Sequence, residues 1–331
     1  MNITLLGAGA WGTALAMSLS PRHKVMLWGR DAQAIEAMRT SRQNARYLPG
    51  IRLPAELSLT SDFSAAVHHA KGGLLIVATS VSGLRTLATS LKPFDVDSLV
   101  WLCKGFEQDT ALLPHQVVQQ VLGTALPAGA LSGPSFAQEV ARGLPCALTI
   151  GSTSDSLSEQ VVAAAHGGSM RVYSTNDLVG VEVGGAVKNI LAIATGIADG
   201  LGLGMNARAA LITRGLAEIT RLGTALGGRI ETFMGLTGVG DLILTCTGDL
   251  SRNRQVGLGL ASGKSLQAII DQLGHVAEGV RCVQAVKSLA GQYQIEMPIV
   301  DAVAHVLFEG EAPSKAIEQL LAREARAEHL R

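Results

Sequence analysis

The sequence lacks the features that would point to a metal centre, a disulfide framework or a nucleic-acid partner. Its 331 residues include four cysteines without a CxxC pair, so neither a zinc site nor a set of disulfides is predicted. Lysine plus arginine and aspartate plus glutamate both total 27, and this zero net charge argues against nucleic acid or an anionic membrane as a general partner. The HExxH and GxSxG motifs and clustered carboxylates are also absent, so a metalloenzyme or a hydrolase has no support.

Long hydrophobic runs are missing as well. The run LLIVA at 74–78 is far shorter than the roughly 20 residues that a membrane-spanning helix needs. The apolar N-terminus, residues 1–20, lacks the basic region that is typical of a signal peptide, and its regularly placed glycines indicate folded structure. Since the cysteine usage also fits a reducing compartment, we expect a soluble cytoplasmic protein without a membrane span.

The first half of the chain alternates between short apolar runs and helix-like stretches. Apolar strands separated by helices predict a parallel sheet that is covered by helices on both faces. The predicted strands cover residues 3–7, 24–29, 73–78, 99–103, 129–133, 146–151 and 170–174. The predicted helices lie near residues 11–20, 31–40, 62–70, 81–91, 111–122, 135–142 and 154–165.

The pattern changes after residue 177, where strand signals nearly disappear and seven helix-like segments follow, the last of them at 313–331. A chain of this length can form two domains, each with its own core. The predicted fold is therefore α/β, with a Rossmann-type doubly wound, mostly parallel sheet at 1–178 and an all-helical substrate-binding domain at 179–331.

A glycine motif near the N-terminus predicts a dinucleotide site. GAGAWG at 7–12 fits GxGxxG, follows a predicted strand and opens a predicted helix. In this motif Gly7 permits a tight turn, Gly9 lets the backbone approach a pyrophosphate, and Gly12 lets helix and strand pack closely. The N–H groups at the start of the helix would then face the phosphates.

The end of the second predicted strand bears on which dinucleotide binds. Arg30 lies near the position where an acidic residue would hold the adenosine ribose, and an arginine there suits the 2′-phosphate of NADPH. Asp31 is adjacent and could instead accept the ribose hydroxyls of NADH, and a surface arginine before a helix is the plain structural explanation. NADPH is thus the favoured cofactor and NADH the alternative.

The helix predicted at 181–200 contains a lysine, Lys188, among small and apolar residues. Gly184 and Gly185 lie one turn before it, and each glycine in a helix costs about 1 kcal/mol relative to alanine. Because the two glycines lower the stability of the helix, we expect them to be needed for empty space beside the lysine. The segment taken alone is better explained by a lysine that extends from a packed helix to solvent.

Further polar residues follow predicted strands or open predicted helices. Lys104 comes just after a buried strand, and ligands of open α/β sheets bind at the carboxyl ends of strands. Ser135 with Gln138 forms a capping-box pattern, whose helix N-terminus could also bind an anion.

The segment GVGDLILTCTGDLSRNR at 238–254 is the richest in polar groups. Ser251 can cap the helix that follows it, and a hydroxyl, a guanidinium and an amide at Ser251, Arg252 and Asn253 can all donate to phosphate oxygens. Asp241 follows a glycine-rich turn. The same spacing also suits a capped surface helix.

Six segments together resemble one enzyme family over nearly the whole chain, and in the same order. They are GAGAWGTALA, KGFE, LSGPSFAQEV, EVGGAVKNILAIATGIADGLGLGMNARAALITRG, GLTGVGDLILTCTGDLSRNR and AEGV. The chain resembles the bacterial-type NAD(P)-dependent glycerol-3-phosphate dehydrogenases. This resemblance implies reversible reduction of dihydroxyacetone phosphate to sn-glycerol 3-phosphate, which supplies the backbone of phospholipids. It also suggests a homodimer, which the residues themselves do not indicate.

The resemblance also implies roles for individual residues. Lys188 matches the catalytic acid/base, and Ala10 departs from the serine or threonine of many members, so a side-chain contact to the pyrophosphate is not expected there. Substrate binding is implied for Lys104, Gly133, Ser135, Lys188, Asp241, Ser251, Arg252 and Asn253. Cofactor binding is implied for Gly7, Gly9, Ala10, Trp11, Gly12, Arg30, Lys104, Ala137, Arg252, Val276 and Glu278.

These roles suggest a mechanism in which the Lys188 ammonium gives a proton to the reduced carbonyl oxygen. Burial and a neighbouring cation such as Lys104 would lower its pKa. Asp241 would hold the ammonium or contact a substrate hydroxyl, and Arg252 would anchor the phosphate, in contact with both ligands.

Two other functions fit parts of the sequence. A 3-hydroxyacid or 6-phosphogluconate type dehydrogenase also pairs a Rossmann domain with a helical one, but acts on carboxylates. A non-catalytic dinucleotide-sensing module would bind NADPH without oxidising it, and it would need neither Lys188 nor Asp241 nor the Ser-Arg-Asn run.

Overall fold

The computed structural model describes residues 1–274 and 277–323, and in them a sheet-containing half is followed by a helical half. The first half holds eight strands in one sheet. They are β1 (Asn2–Leu6), β2 (Lys24–Trp28), β3 (Ser58–Thr60), β4 (Leu74–Val77), β5 (Leu99–Trp101), β6 (Ala128–Ser132), β7 (Cys146–Ser152) and β8 (Met170–Thr175). The helices between them are α1 (Ala10–Leu19), α2 (Ala32–Ser41), α3 (Phe63–His69), α4 (Val81–Leu91), α5 (Pro114–Leu122), α6 (Ala137–Ala141) and α7 (Asp155–Ala165).

The strand order is β3-β2-β1-β4-β5-β6-β7-β8, so the chain reverses its direction across the sheet between β1 and β4. Alternate residues of a strand face opposite sides, and Leu5 and Leu6 accordingly belong to separate hydrophobic clusters on the two faces. The doubly wound fold is confirmed. The carboxyl ends of β1 and β4 form the switch point at which such folds bind ligands.

One strand of the sheet was not predicted, and one neighbouring pair is antiparallel within the mostly parallel sheet that was predicted. β3 was not predicted, because its three residues include only one apolar residue and so show no apolar run. β7 runs antiparallel to β6, whereas every other neighbouring pair is parallel. The connection between β6 and β7 carries only the five-residue α6, which is shorter than the crossover helix that usually joins parallel strands.

The second half is helical throughout its described part, as predicted. Its helices are α8 (Leu178–Gly200), α9 (Gly204–Ala225), α10 (Ile230–Phe233), a π-helical turn (Leu236–Gly240), α11 (Asp241–Thr247), α12 (Arg252–Ala261), α13 (Leu266–Leu273), α14 (Glu278–Gln292), α15 (Pro298–Phe308) and α16 (Pro313–Leu321). The predicted last helix reaches Leu321, and its residues 324–331 lie outside the described part of the chain.

α8 lies at the centre of this half and packs against α9, α11, α12 and α14. Asp177 caps its start, because its Oδ1 accepts from Gly180 N at 2.9 Å while its Oδ2 accepts from Arg229 N at 2.8 Å. The helix is long and apolar enough to cross a bilayer, although it contains no long uninterrupted apolar run, and 94% of its most apolar window is buried inside the protein. Its hydrophobicity therefore matches that of a core helix. The domain boundary predicted between residues 178 and 179 falls in its first turn and stays a prediction.

Candidate active site

One buried lysine and one partly buried lysine share one carboxylate where the two halves of the molecule meet. Lys104 follows β5, Lys188 lies in the middle of α8, and Asp241 is the first residue of α11. Lys104 Nζ donates to Asp241 Oδ2 at 2.6 Å and to Gly133 O at 3.2 Å. Lys188 Nζ pairs with the other oxygen of the carboxylate, Asp241 Oδ1. The structure thus brings together three of the predicted site side chains in one ion-paired cluster.

A fourth side chain in this cluster, Thr245, was not predicted. Lys188 Nζ donates to Thr245 Oγ1 at 2.9 Å, and the threonine hydroxyl donates to the backbone oxygen of Asp241 at 2.6 Å. Residues four apart lie on the same face of a helix, so the spacing of Asp241 and Thr245 was the signal that could have identified it. Thr245 fixes the direction of the Lys188 ammonium.

The environment of the cluster changes the acidity of its members. Burial lowers the pKa of Lys188 from 10.5 to about 8; Asp241 opposes this shift and the charge of Lys104 adds to it. Burial alone would raise the pKa of Asp241, but the charges and hydrogen bonds of the two lysines outweigh it and hold this pKa below its ordinary value. At neutral pH the cluster therefore holds an ionised carboxylate and a Lys188 that can change its charge close to physiological pH.

The two glycines before Lys188 make room for protein, which corrects the prediction of space for a substrate. A Cβ added to Gly184 would lie 2.6 Å from Thr237 O in the π-helical turn. A Cβ added to Gly185 would lie 3.2 Å from Ser132 Oγ and 3.4 Å from the stem of Lys104. The close approach of the π-helical turn and of Lys104 to α8 is what brings Asp241 and Lys104 to Lys188.

The corner after β6 also differs from the prediction. The cap of α6 is Phe136, one residue later than expected, and Ser135 does not form a capping box with Gln138. Ser135 Oγ instead donates to Gly133 O at 3.1 Å, because α6 begins only at Ala137. Gly133 has a φ of 141°, and a Cβ there would lie 2.7 Å from Ala147 O, so this turn requires glycine. With five residues, α6 is too short to support the predicted anion site at its start.

The residues that open α12 have different environments. Ser251 caps the helix by accepting from Arg254 N at 3.3 Å, as predicted. Asn253 is buried and connects three helices, since its Nδ2 donates to Asn189 Oδ1 at 2.9 Å and its Oδ1 accepts from Gly279 N at 2.9 Å. Asn189, which directly follows Lys188, was not predicted as part of the site. The amide of Asn253 thus ties the start of α12 to the lysine helix.

Arg252 and Glu278 lie near each other at the starts of α12 and α14. Arg252 is exposed. Burial raises the pKa of Glu278, and the charge of Arg252 is the strongest influence that opposes this. Val276, the other cofactor position implied in this region, lies outside the described residues.

The glycine motif has the geometry expected of a dinucleotide site. Gly7 follows β1 with a φ of 135°, and a Cβ added to Gly12 would lie 2.1 Å from Gly7 O, so strand and helix are packed as closely as the motif requires. A Cβ added to Gly9 would meet no described atom within 4 Å. Gly9 caps α1, whose first turn includes the half-buried Ala10 and Trp11 and has no acidic residue. The open space in front of this helix start fits a pyrophosphate.

Arg30 and Asp31, the two residues that were considered for contact with the adenosine ribose, have different environments at the end of β2. Arg30 is exposed and has no ion-pair partner among the described residues. Asp31 caps α2, because its Oδ1 accepts from Gln33 N at 3.0 Å and from Ala34 N at 3.1 Å. One oxygen of Asp31 is thus used by the protein itself, while the guanidinium of Arg30 has no ion-pair partner within residues 1–274 and 277–323.

Comparisons with known proteins agree with this geometry. Residues 2–158 match the model of the NAD-dependent glycerol-3-phosphate dehydrogenase N-terminus, and residues 177–318 match that of its C-terminus. Proteins named glycerol-3-phosphate dehydrogenase (NAD(P)+) from Janthinobacterium sp. (strain Marseille) and Herminiimonas arsenicoxydans are 69% and 70% identical over 329 residues, 99% of each chain. The crystal structure of glycerol-3-phosphate dehydrogenase from Coxiella burnetii has a TM-score of 0.92 at 41% identity and covers 97% of this chain and 98% of its own. The chain belongs to the NAD-dependent glycerol-3-phosphate dehydrogenase family.

Proposed function

We propose that this site reversibly reduces dihydroxyacetone phosphate to sn-glycerol 3-phosphate, with Lys188 as the acid/base. The observation that carries the proposal is the pairing of the buried Lys188 and the partly buried Lys104 with Asp241, beside the carboxyl edge of a sheet whose first strand leads into the dinucleotide motif. The identity of 69% to a relative of that name over 99% of the chain supports this reaction over a 3-hydroxyacid or 6-phosphogluconate type dehydrogenase and over a dinucleotide-sensing module.

The proton of the reaction moves at Lys188 Nζ. In the reduction, charge develops on the substrate oxygen, and the Lys188 ammonium stabilises this charge and donates a proton to it. In the oxidation, the neutral amine accepts the proton of the alcohol. A pKa of about 8 makes both forms of the lysine accessible near neutral pH. Asp241 and Thr245 hold the nitrogen in one position throughout.

The phosphate of the substrate is proposed to bind at the start of α12. Arg252 offers a guanidinium there that can contact two phosphate oxygens at once. The first turn of α12, a helix of ten residues, adds backbone N–H groups and a partial positive charge next to Ser251 and Asn253. Binding the phosphate at a distance from the reacting carbon helps to orient the carbonyl toward Lys188. Lys104, Gly133 and Ser135 are proposed to line the rest of the substrate site.

The cofactor is a nicotinamide dinucleotide, which carries the hydride that the substrate carbon gains or loses. Its pyrophosphate is proposed to bind at Gly7, Gly9 and Gly12. NADPH is favoured because Arg30 is exposed and has no ion-pair partner among the described residues, while Asp31 caps α2. Further contacts are proposed for Ala10, Trp11, Lys104, Ala137, Arg252, Val276 and Glu278.

An absorbance assay at the reduced-nicotinamide band tests the proposal. Purified protein is given dihydroxyacetone phosphate with NADPH or NADH, and the loss of absorbance is followed. We expect turnover with both cofactors and a higher kcat/KM with NADPH. Absence of turnover with either cofactor would contradict the proposed reaction, and a preference for NADH would contradict the role of Arg30.

A cytoplasmic location is proposed for the enzyme. All four cysteines, each within the described part of the chain, are free thiols, which supports a cytoplasmic location. The product would supply the glycerol backbone of phospholipids. A homodimer remains the assembly that the resemblance suggests, and the mass of the purified protein in solution would test it.

A further inference from the structure

A buried carboxylate on the lysine helix is not used by the proposed chemistry. Glu182 lies in α8, six residues before Lys188, and only 4% of its surface is exposed. Its Oε1 accepts from Trp101 Nε1 at 3.0 Å and from the backbone N of His115 at 2.9 Å. Its Oε2 pairs with His115 Nδ1 at 2.5 Å. Three hydrogen bonds thus converge on one side chain inside the protein.

The partners of Glu182 lie on both sides of the segment that carries Lys104. Trp101 is the last residue of β5, and His115 is the second residue of α5. The intervening segment, residues 102–113, connects this strand to this helix and includes Lys104. One carboxylate on α8 therefore holds both ends of the segment.

A buried carboxylate has a cost that this arrangement must offset. Burial raises the pKa of Glu182, while the hydrogen bonds from His115 and Trp101 lower it. Buried ion pairs are often no more stable than apolar residues of similar volume, so stability by itself does not account for a glutamate at this position. The glutamate is accounted for if residues 102–113, whose two ends it holds, must keep a defined position.

We propose that Glu182 is a positioning residue for the reaction, which fixes the segment from Trp101 to His115 on α8 so that Lys104 stays on Asp241 beside Lys188. The inference rests on the proposed roles of Lys104 and Lys188. Lys104 Nζ reaches Asp241 Oδ2 at 2.6 Å from this segment, whereas Lys188 reaches the same carboxylate from α8. Any shift of the segment along α8 therefore changes the distance between the two ammonium groups.

A shift of Lys104 has a predictable effect on Lys188. The charged groups that act on Lys188 are Asp241 from α11, Lys104 from the segment after β5, and Glu278 from α14. Lys104 lowers the pKa of Lys188, and it also shares the carboxylate that raises this pKa. If Lys104 moves away, Lys188 loses a repelling positive charge and no longer shares the Asp241 carboxylate. Both effects raise the pKa of Lys188 from about 8 toward 10.5. The pH above which the enzyme oxidises sn-glycerol 3-phosphate should then increase.

The test compares matched substitutions of two buried glutamates. Glu182→Leu removes the carboxylate that holds the Lys104 segment. Glu218→Leu is the control, since Glu218 is also buried and accepts from Ile299 N at 2.8 Å and Val300 N at 3.3 Å at the start of α15. Trp101→Phe removes a single donor to Glu182 and keeps an aromatic side chain in the hydrophobic cluster to which Trp101 belongs. For each variant, kcat and KM are measured in both directions across pH 6–10, together with Tm.

We expect Glu182→Leu to lower kcat about tenfold or more, because a catalytic group displaced by about 1 Å can cost on the order of 100-fold. In Glu182→Leu the rate of sn-glycerol 3-phosphate oxidation should begin to rise at a higher pH than in the wild type. Trp101→Phe should shift this pH in the same direction by a smaller amount. Glu218→Leu should lower Tm and leave both kcat and this pH dependence unchanged.

Two results would overturn the inference. One is a Glu182→Leu variant whose kcat and pH dependence equal those of the wild type, and the other is a Glu218→Leu variant with the same pH change as Glu182→Leu. If Glu182→Leu does not fold, Trp101→Phe decides the matter, since an unchanged pH dependence there contradicts the inference. A wild-type protein without turnover would count against the proposed function instead.

Discussion

Lys188 keeps a charged amine inside the protein because one carboxylate and one hydroxyl receive its N–H groups. Asp241 serves two ammonium groups at once, one on each oxygen, so the local charge is net positive. A net positive charge is what an anionic substrate and a developing oxyanion both require. The excess of one cation over the carboxylate is thus the property of this cluster that suits the proposed reaction.

Lys188→Ala should slow the reaction and leave cofactor binding nearly unchanged. We expect kcat to fall by about 10²–10⁴-fold, the usual contribution of a positioned acid/base, while the Kd of NADPH changes little. Steady-state kinetics and a fluorescence titration with NADPH measure the two quantities. Unchanged turnover would remove Lys188 from the proposed chemistry.

The second prediction concerns Arg252→Ala. The guanidinium is exposed and lies at the start of α12, so its loss should raise the KM of dihydroxyacetone phosphate by about tenfold or more and leave Tm close to that of the wild type. Arg254, the buried neighbour that pairs with Asp199 and Asp249, provides the contrast, since Arg254→Ala should lower Tm. A KM that does not change in Arg252→Ala would contradict the phosphate assignment.

The sequence indicated the members of this cluster better than their arrangement. Lys104, Lys188 and Asp241 stood out because each interrupts an apolar or glycine-rich segment. Thr245 and Asn189 did not, because their roles depend on which side chains the folded helices bring to them. The same reason explains the incorrect expectation for Gly184 and Gly185, since the sequence cannot tell whether a ligand or another part of the chain fills the space beside a glycine.

At the scale of elements, α1 shows how two glycines of one motif can differ in their function. A Cβ at Gly12 would lie 2.1 Å from the backbone oxygen of Gly7, whereas a Cβ at Gly9 would meet nothing described within 4 Å. Gly12 thus serves the packing of helix on strand, and Gly9 leaves space at the start of the helix.

This difference predicts opposite effects for two alanine variants. Gly12→Ala should destabilise the protein by about 1–3 kcal/mol, because backbone atoms must move to relieve the contact. Gly9→Ala should leave Tm within about 2 °C of the wild type and weaken NADPH binding by about tenfold or more, since its methyl group would occupy the space proposed for the pyrophosphate. Thermal unfolding and nucleotide titration of both variants measure these effects. A Gly9→Ala variant with normal NADPH affinity would contradict the proposed cofactor site.

Most elements were predictable because their apolar periodicity continues over several residues. The strands with four or more residues and the helices around them lie close to where the sequence predicted them. The exceptions were β3, the start of α6, and three short elements of the second half that were not predicted, namely α10, the π-helical turn and α11. Each of these elements is short, so its sequence carries little periodic signal from which its position could be predicted.

At the scale of the whole molecule, stability should depend on pH through buried carboxyls that lie away from the active site. Burial raises the pKa of Glu218 from 4.5 to about 7, although its hydrogen bonds to Ile299 and Val300 lower it. The folded protein therefore binds a proton at this site more tightly than the unfolded chain does. The resulting stabilisation is fully present below pH 4.5 and is lost as the pH rises through about 7.

Glu218→Gln tests this linkage, because glutamine does not titrate. The wild type should lose on the order of 3 kcal/mol of stability between pH 4.5 and pH 8 from this group, a loss that the variant does not share. Urea unfolding of the wild type and of Glu218→Gln at pH 5 and pH 8 gives, for each protein, the change in the free energy of unfolding between the two pH values. A difference between variant and wild type that stays constant with pH would show that Glu218 does not titrate in this range.

Because Glu182 accepts hydrogen bonds from Trp101 and His115, the two halves of the chain are not expected to fold separately. A fragment of residues 1–178 would contain both donors but not the carboxylate that accepts from them, and it would expose the apolar residues of the sheet that α8 covers. Separate expression of the two halves should accordingly yield fragments that aggregate, and mixing them during refolding should recover soluble material. The halves can be distinguished by their architecture, but each needs the other to complete its interior.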